Sequence, residues 1–286
     1  MAVPATAQSK KSENGKGETF EAPGGDIFGF TSPTDVGNKG EYSFANEFDG
    51  RLQKRDGTYR AFSNKTEFGY TFTENFWLGG SAFLSAHHIR GVPDLDDLSE
   101  INFDGLSFQP MLRLIERSAS NPFALAISAE PRWARIDGGN GLRSTAYAVE
   151  FKIMMDGVIV RDKLFWGANL NWAPIRGQDS ADRSIWLDQS ASVASMAITA
   201  QVTDKLFIGA EIRHLAAYDG TWFEDRLGYA VYLGPTLLWN ITDKVALNLT
   251  WQPQIAGKSV DTPDLRYDLN IFDRSQFRIK LAATLN

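Results

Sequence analysis

Few folds can accommodate Leu227–Gln254, LGYAVYLGPTLLWNITDKVALNLTWQPQ. Odd positions 229 to 241 read Tyr, Val, Leu, Pro, Leu, Trp, Ile, while the even positions between them read Ala, Tyr, Gly, Thr, Leu, Asn. After Thr242-Asp243-Lys244 the alternation resumes, with Val245, Leu247, Leu249 and Trp251 set against Ala246, Asn248, Thr250 and Gln252. A period of two on either side of a short polar turn predicts an antiparallel hairpin. Its strands outrun the five or six residues that are about typical of soluble sheets. Trp239 lies near the turn, and Tyr229 and Trp251 lie far from it. An apolar band between two aromatic girdles is the pattern of an outer-membrane strand pair.

Composition narrows the field further. The chain has 286 residues and no cysteine, so disulfides and thiolate metal sites are excluded. A net charge of −6 provides no basic stripe for nucleic acid. No apolar run of about 18 residues is present, so no transmembrane helix is expected. The mean hydropathy of −0.26 fits a barrel, whose strands are only half apolar.

Residues 1–38 are rich in Lys, Glu, Gly, Ser and Pro without alternation, and predict a flexible N-terminal segment, periplasmic or plugging the lumen. Within it, Asp26-Ile27-Phe28-Gly29-Phe30 is apolar enough to dock as an insert that narrows the lumen. Ala5-Thr6-Ala7 before Gln8 resembles a signal-peptidase site without the apolar segment that should precede it, so the chain is read as starting near a mature N-terminus.

Residues 39–286 divide by their turns. Short polar turns are expected at Thr73-Glu74-Asn75, Ser118–Asn121, Arg161-Asp162-Lys163, Thr203-Asp204-Lys205 and Thr242-Asp243-Lys244, with starts 45, 43, 42 and 39 residues apart. Longer connections fall near 53–57, 90–102, 136–143, 176–184, 218–226 and 257–273. The expectation is all-β: a single antiparallel up-and-down transmembrane β-barrel of about 12 strands. Short turns and both termini would face the periplasm and longer loops the exterior.

Phe68, Tyr70, Phe72, Leu106, Phe108, Leu112, Tyr147, Phe151, Ile153, Leu170 and Trp172 are assigned to the lipid face. Pro110, Pro131, Pro174, Pro235 and Pro253 fall on the same face and cost ladder hydrogen bonds. They are placed toward the outer half, where they would shape the mouth.

The opposite face carries Glu47, Asp49, Lys65, Glu67, Arg113, Glu130, Arg132, Glu150, Lys152, Glu211, Arg213, Arg278 and Lys280, seven basic and six acidic groups. A nearly neutral belt serves either to hold the barrel closed or as a constriction that screens a small polar solute. Closing the last strand on the first would bring Arg278 and Lys280 to Glu47 and Asp49.

Catalytic and metal signals are weak. A lipid-modifying barrel enzyme needs a serine nucleophile and a histidine base on the lipid-facing rim. His88 and His214 face outward, but no His-x-Ser shares their face. Ser85 and His87 share the inner face only as Ser-x-His. Asp94, Asp96, Asp97 and Glu100 offer a weak calcium-type oxygen cluster, without the glycine of a helix-loop-helix site. The Trp222-Phe223 pair is read as a girdle or loop anchor.

Several stretches resemble a family of uncharacterised proteobacterial outer-membrane β-barrels, some of them transporter-like. They are FGFTSPTDVGNKGE (28–41), GVPDLDD (91–97), LSFQPMLRL (106–114), SAEPRW (128–133), GAEIRHLAAYDG (209–220), LGPTLLW (233–239) and NIFDRSQFRIKL (270–281). The resemblance implies a barrel and brings no catalytic residues. One departure is the end Leu285-Asn286, where barrel proteins often finish on an aromatic residue.

The resulting expectation is a monomeric, non-enzymatic, cofactor-free barrel, a narrow passive channel for an unknown small solute. Outer-membrane lipid and lipopolysaccharide are its surroundings. A non-conducting structural or envelope-interaction barrel, and a lipid-modifying enzyme, stand as alternatives.

Overall fold

A computed structural model describes residues 26–118 and 120–285; the expected flexibility of the first 25 residues and the Ala5-Thr6-Ala7 site lie outside them. Among the described residues the chain forms twelve strands: β1 (Tyr42–Leu52), β2 (Thr58–Thr73), β3 (Phe76–Arg90), β4 (Leu98–Ile115), β5 (Phe123–Ile136), β6 (Arg143–Val160), β7 (Leu164–Gln178), β8 (Trp186–Thr203), β9 (Leu206–Asp219), β10 (Asp225–Asn240), β11 (Val245–Ser259) and β12 (Ser275–Thr284). Each pairs antiparallel with its neighbours in sequence, and β12 closes on β1. Closure leaves no strand edge, so every ladder group can be satisfied without water.

The alternation is realised face by face. Phe68, Phe108, Tyr147, Leu170, Ile208 and Trp251 all stand exposed on the outer wall, an arrangement stable only against lipid. The opening hairpin is β10–β11, with Trp239 against Leu247 and Tyr229 against Lys258.

The five strand prolines have a common structural consequence. Three ladders lose their pairing partway along: β4–β5 between Ser107 and Met111, β6–β7 between Ala148 and Phe151, and β10–β11 between Tyr232 and Thr236. Pro110 and Pro131 lie in the first gap, Pro174 in the second, and Pro235 and Pro253 in the third. A missing N–H and a fixed φ locally part the strands. The outer-half expectation needs correction, because Pro110 and Pro235 lie nearer the short-turn ends of β4 and β10.

Candidate functional site: a charged lumen with an internal insert

Residues 26–38 lie inside the barrel in its short-turn half, following a path set by contacts along its whole length. Near the start, Ile27 and Phe28 pack into an apolar cluster with Phe165, Ala197, Phe207 and Leu238, all from inner strand faces close to the short turns. Gly167 opens the wall for this ring: a Cβ there would stand 2.6 Å from the Phe28 ring. The segment then rises to Phe30, which has the Arg213 guanidinium 3.5 Å from its ring centroid and that of Arg278 at 4.5 Å. A desolvated cation over an aromatic face contributes on the order of 1–2 kcal/mol.

Glu211 holds this apex from the wall. It accepts from the Phe30 N–H at 2.8 Å and from Thr31 Oγ1 at 3.0 Å. Gly29 makes that approach possible, since a Cβ would fall 2.5 Å from Glu211 Oε2. The chain next descends, with the Thr34 N–H donating to Asp156 Oδ2 at 2.7 Å. Arg117, in the β4–β5 turn, bridges Asp156 and Asp35. Burial opposes its charge, but the two carboxylates hold its pKa above the ordinary arginine value. Finally Val36 packs on Met111, Ala126 and Met154, and its carbonyl accepts from Thr71 Oγ1 at 2.6 Å before β1 begins.

The predicted inward charges form several groups rather than one ring. Register sets Glu47 opposite Lys280 and Asp49 opposite Arg278 where β12 closes on β1. Lys280 Nζ lies 3.0 Å from Glu47 and 2.7 Å from Asp26 of the insert. Arg278 lies 2.8 Å from Asp49 and 3.3 Å from Glu47. Lys65 bridges Glu67 at 2.8 Å and Glu130 at 3.1 Å, and Lys152 pairs with Glu150 at 2.9 Å.

Three of the predicted residues depart from this belt. Arg113 sits at the short-turn end, donating to the Glu74 carbonyl at 2.6 Å and pairing with Glu116 at 3.2 Å. Arg132 pairs across the wall with Asp104, a partner on no predicted face. Arg213 donates to Gln252 and Gln276, each at 2.6 Å, above Phe30.

Between these groups lies a cavity of about 1780 Å³, lined by Asp26, Lys65, Glu130, Lys152, Asn171 and Arg278 among others. Its walls reach the short turns at Asp162-Lys163, Thr203–Lys205 and Thr242–Val245, but no described residue of the six longer connections lines it. Asp26 Oδ1, Asn171 Oδ1 and Arg132 Nε are buried in its wall without a hydrogen-bond partner among the described residues.

The long-loop end is crossed by two connections. Residues 137–142 take bonds from Arg51 to the Gly138 carbonyl and from Tyr59 to the Gly139 carbonyl, and the His87 ring lies 3.2 Å from Gly138 O. Residues 260–274 are held by Lys54 on the Asn270 and Ile271 carbonyls, Tyr232 on the Asp273 carbonyl and Gln254 on the Asp268 carbonyl. Burial pushes the Asp268 and Asp273 carboxyls above, and the Lys54 ammonium below, their ordinary values.

The acidic loop does not converge. Asp94 pairs with Arg55 at 2.9 Å, Asp97 accepts from the Gly91 N–H at 2.7 Å, and Glu100 accepts from Asn102 at 3.1 Å. Among the described residues, no three His, Cys, Asp or Glu side chains are grouped to hold a metal, so Asp94, Asp96, Asp97 and Glu100 do not form the oxygen cage their spacing suggested. The rim Ser/His contact that no single strand provides occurs instead between two strands. Across the β3–β4 pair His88 Nδ1 comes 3.4 Å from Ser99 Oγ, because sheet neighbours are set by register and not by sequence spacing. No described carboxylate bonds to His88, and Ser99 is exposed, so the pair lacks an orienting acid.

A closed twelve-stranded barrel with an apolar outer wall and a charged lumen defines a transmembrane β-barrel of the outer-membrane class. Residues 21–285 match the model of a family of unknown function, DUF6662, and the chain belongs to that family. No curated protein matches it. Among solved structures, the β domain of the Bordetella autotransporter BrkA is similar with TM-score 0.52 and 12% identity, over 86% of this chain and 100% of that one. The NanC porin matches with TM-score 0.49 and 8% identity over 85% and 100% of the two chains. The KdgM porin, in complex with disordered oligogalacturonate, matches with 0.47 and 8% over 86% and 99%. At these identities the likeness concerns the barrel fold.

Proposed function

We propose that this protein is a monomeric, narrow, passive outer-membrane channel for a small polar solute, narrowed by its own insert and resting closed at the long-loop end. The observation that carries the reading is the cavity of about 1780 Å³ lined by side chains of both signs. Paired charges cancel the long-range field, so weak ion selectivity is expected, unlike that of a single-sign ring. The short turns are assigned to the periplasm and the longer connections to the exterior, as bacterial barrels distribute them. The insert then narrows the periplasmic half of the lumen, and residues 137–142 and 260–274 form an outer lid.

The lid favours a second reading, a non-conducting barrel that serves the envelope structurally. Single-channel recording in planar bilayers separates the two, comparing the full chain with forms lacking residues 1–38 or with 260–274 shortened. Discrete steps that enlarge on deletion support the channel. Silence in all three forms, with folding verified by heat-modifiable gel migration, overturns it in favour of the structural barrel.

A further inference from the structure

The β9–β10 connection leaves the lumen and lies on the outside of the wall. Trp222 stacks on Trp172 of β7 with centroids 4.4 Å apart, and Trp172 Nε1 donates to the Thr221 carbonyl at 3.2 Å. To reach β7 from β9 the connection must cross β8, whose outward residues there are Ser190, Ser192 and Ala194. Ala216 and Ser190 point outward by register yet are buried, covered from the lipid side. Phe223 packs edge-on against Tyr218 at 5.2 Å.

Below this roof the outer wall is concave. A groove of about 800 Å³ runs past Phe223, Trp172, Ala194, Leu170, Ile153 and His214. It exists because β8 presents small side chains between bulky ones: Ala194 stands opposite both Leu170 and His214. At the long-loop end the groove meets a cationic cluster built on one ring. His214 stacks on Tyr229 at 5.5 Å, Arg226 lies over the same ring at 5.1 Å, and Lys258 is its cross-strand partner on β11. Arg226 and Lys258 are exposed, and neither makes an ion pair among the described residues.

We infer that this outer face is a specific binding site for a phosphate-headed membrane lipid, with the phosphate on Arg226 and Lys258 and one acyl chain in the groove under Phe223. Two features select that occupant. The groove lies in the lipid-facing wall, where its apolar lining meets hydrocarbon, and unpaired cations stand at its interfacial end, where an anionic headgroup rides. Trp222, the most exposed large residue of this roof, sits where interfacial tryptophans anchor. The site is independent of whether the lumen conducts.

Native mass spectrometry from detergent micelles tests it, using phosphatidate and phosphatidylcholine of matched acyl chains. Two basic groups near the headgroup predict a preference of about 30-fold for phosphatidate. R226Q/K258Q, both exposed and distant from the lumen, removes that preference while leaving gel migration unchanged. A194W, which fills the groove from a lipid-facing position, weakens both lipids. Equal binding of the two lipids by the unmodified protein, a preference retained in R226Q/K258Q, or unchanged binding in A194W means annular lipid only, and overturns the site.

Discussion

Docking of the insert can be measured through Phe28. Its ring is 1% exposed and packs on Phe165, Phe207 and Leu238, while the Phe28 carbonyl accepts from Asn248. Truncation of a buried Phe to Ala costs about 3–5 kcal/mol. The barrel wall closes independently of the insert through the β1–β12 ladder, so this loss falls on the docking equilibrium. At about 1.4 kcal/mol per decade, F28A raises the undocked population at least about a hundredfold. The chain contains no cysteine, so a single reporter can be introduced cleanly. Thr34 is fully buried, its Oγ1 makes no hydrogen bond among the described residues, and its main-chain bond to Asp156 survives substitution. In T34C the thiol reacts with a maleimide only when the segment leaves the lumen, at a rate proportional to the undocked fraction. T34C/F28A should label at least a hundredfold faster than T34C, and a G29A background should accelerate it too, because the added Cβ collides with Glu211, Thr236 and Thr250. A rate within threefold of the parent in both would refute a docked insert held by these contacts.

Other outcomes follow from the same geometry. Arg278→Ala leaves Glu47 and Asp49 without their shared cation at the closing seam. It should cost about 3–5 kcal/mol, read as a lowered temperature of gel-mobility conversion, and a loss under 1 kcal/mol would contradict the seam. For the lid, the folded carboxyl of Asp273 titrates above its unfolded value, so the closed state binds more protons than the open one and gains stability as pH falls from neutral toward 3.8. D273N should therefore be more stable than the parent in urea at pH 7, with the difference shrinking on acidification; a growing difference would reverse the assigned sign. Calcium addition or chelation should leave the melting temperature and the proteolysis of residues 91–97 unchanged, since Asp94, Asp97 and Glu100 are already engaged separately.

How much of this was legible beforehand depends on the kind of pattern involved. Strand existence, the twelve-fold count and the two faces follow from residue-by-residue alternation and polar turns, which are local properties of the chain. The nearness of Arg278 and Lys280 to Glu47 and Asp49 also follows, because closing an up-and-down barrel lays the last strand beside the first, whereas the register that pairs Glu47 with Lys280 and Asp49 with Arg278 does not. The insert is different. Its partners Glu211, Asp156 and Arg117 lie 181, 122 and 82 residues away, and the segment itself has no periodicity. One signal was available: Phe165, Phe207 and Leu238 put apolar bulk on faces that should be polar, which calls for an apolar lumen partner such as Ile27-Phe28.

The sequence alone determined the wall, because a bilayer outside and a polar lumen inside impose an alternation that each strand must satisfy separately. Only the tertiary structure decided what fills and covers it. Closure sets side chains from different strands around one axis, so the bridging of Asp35 and Asp156 by Arg117, the contact of Ser99 with His88, the lid on Lys54 and the loop stacked on Trp172 arise from register and curvature rather than from spacing along the chain.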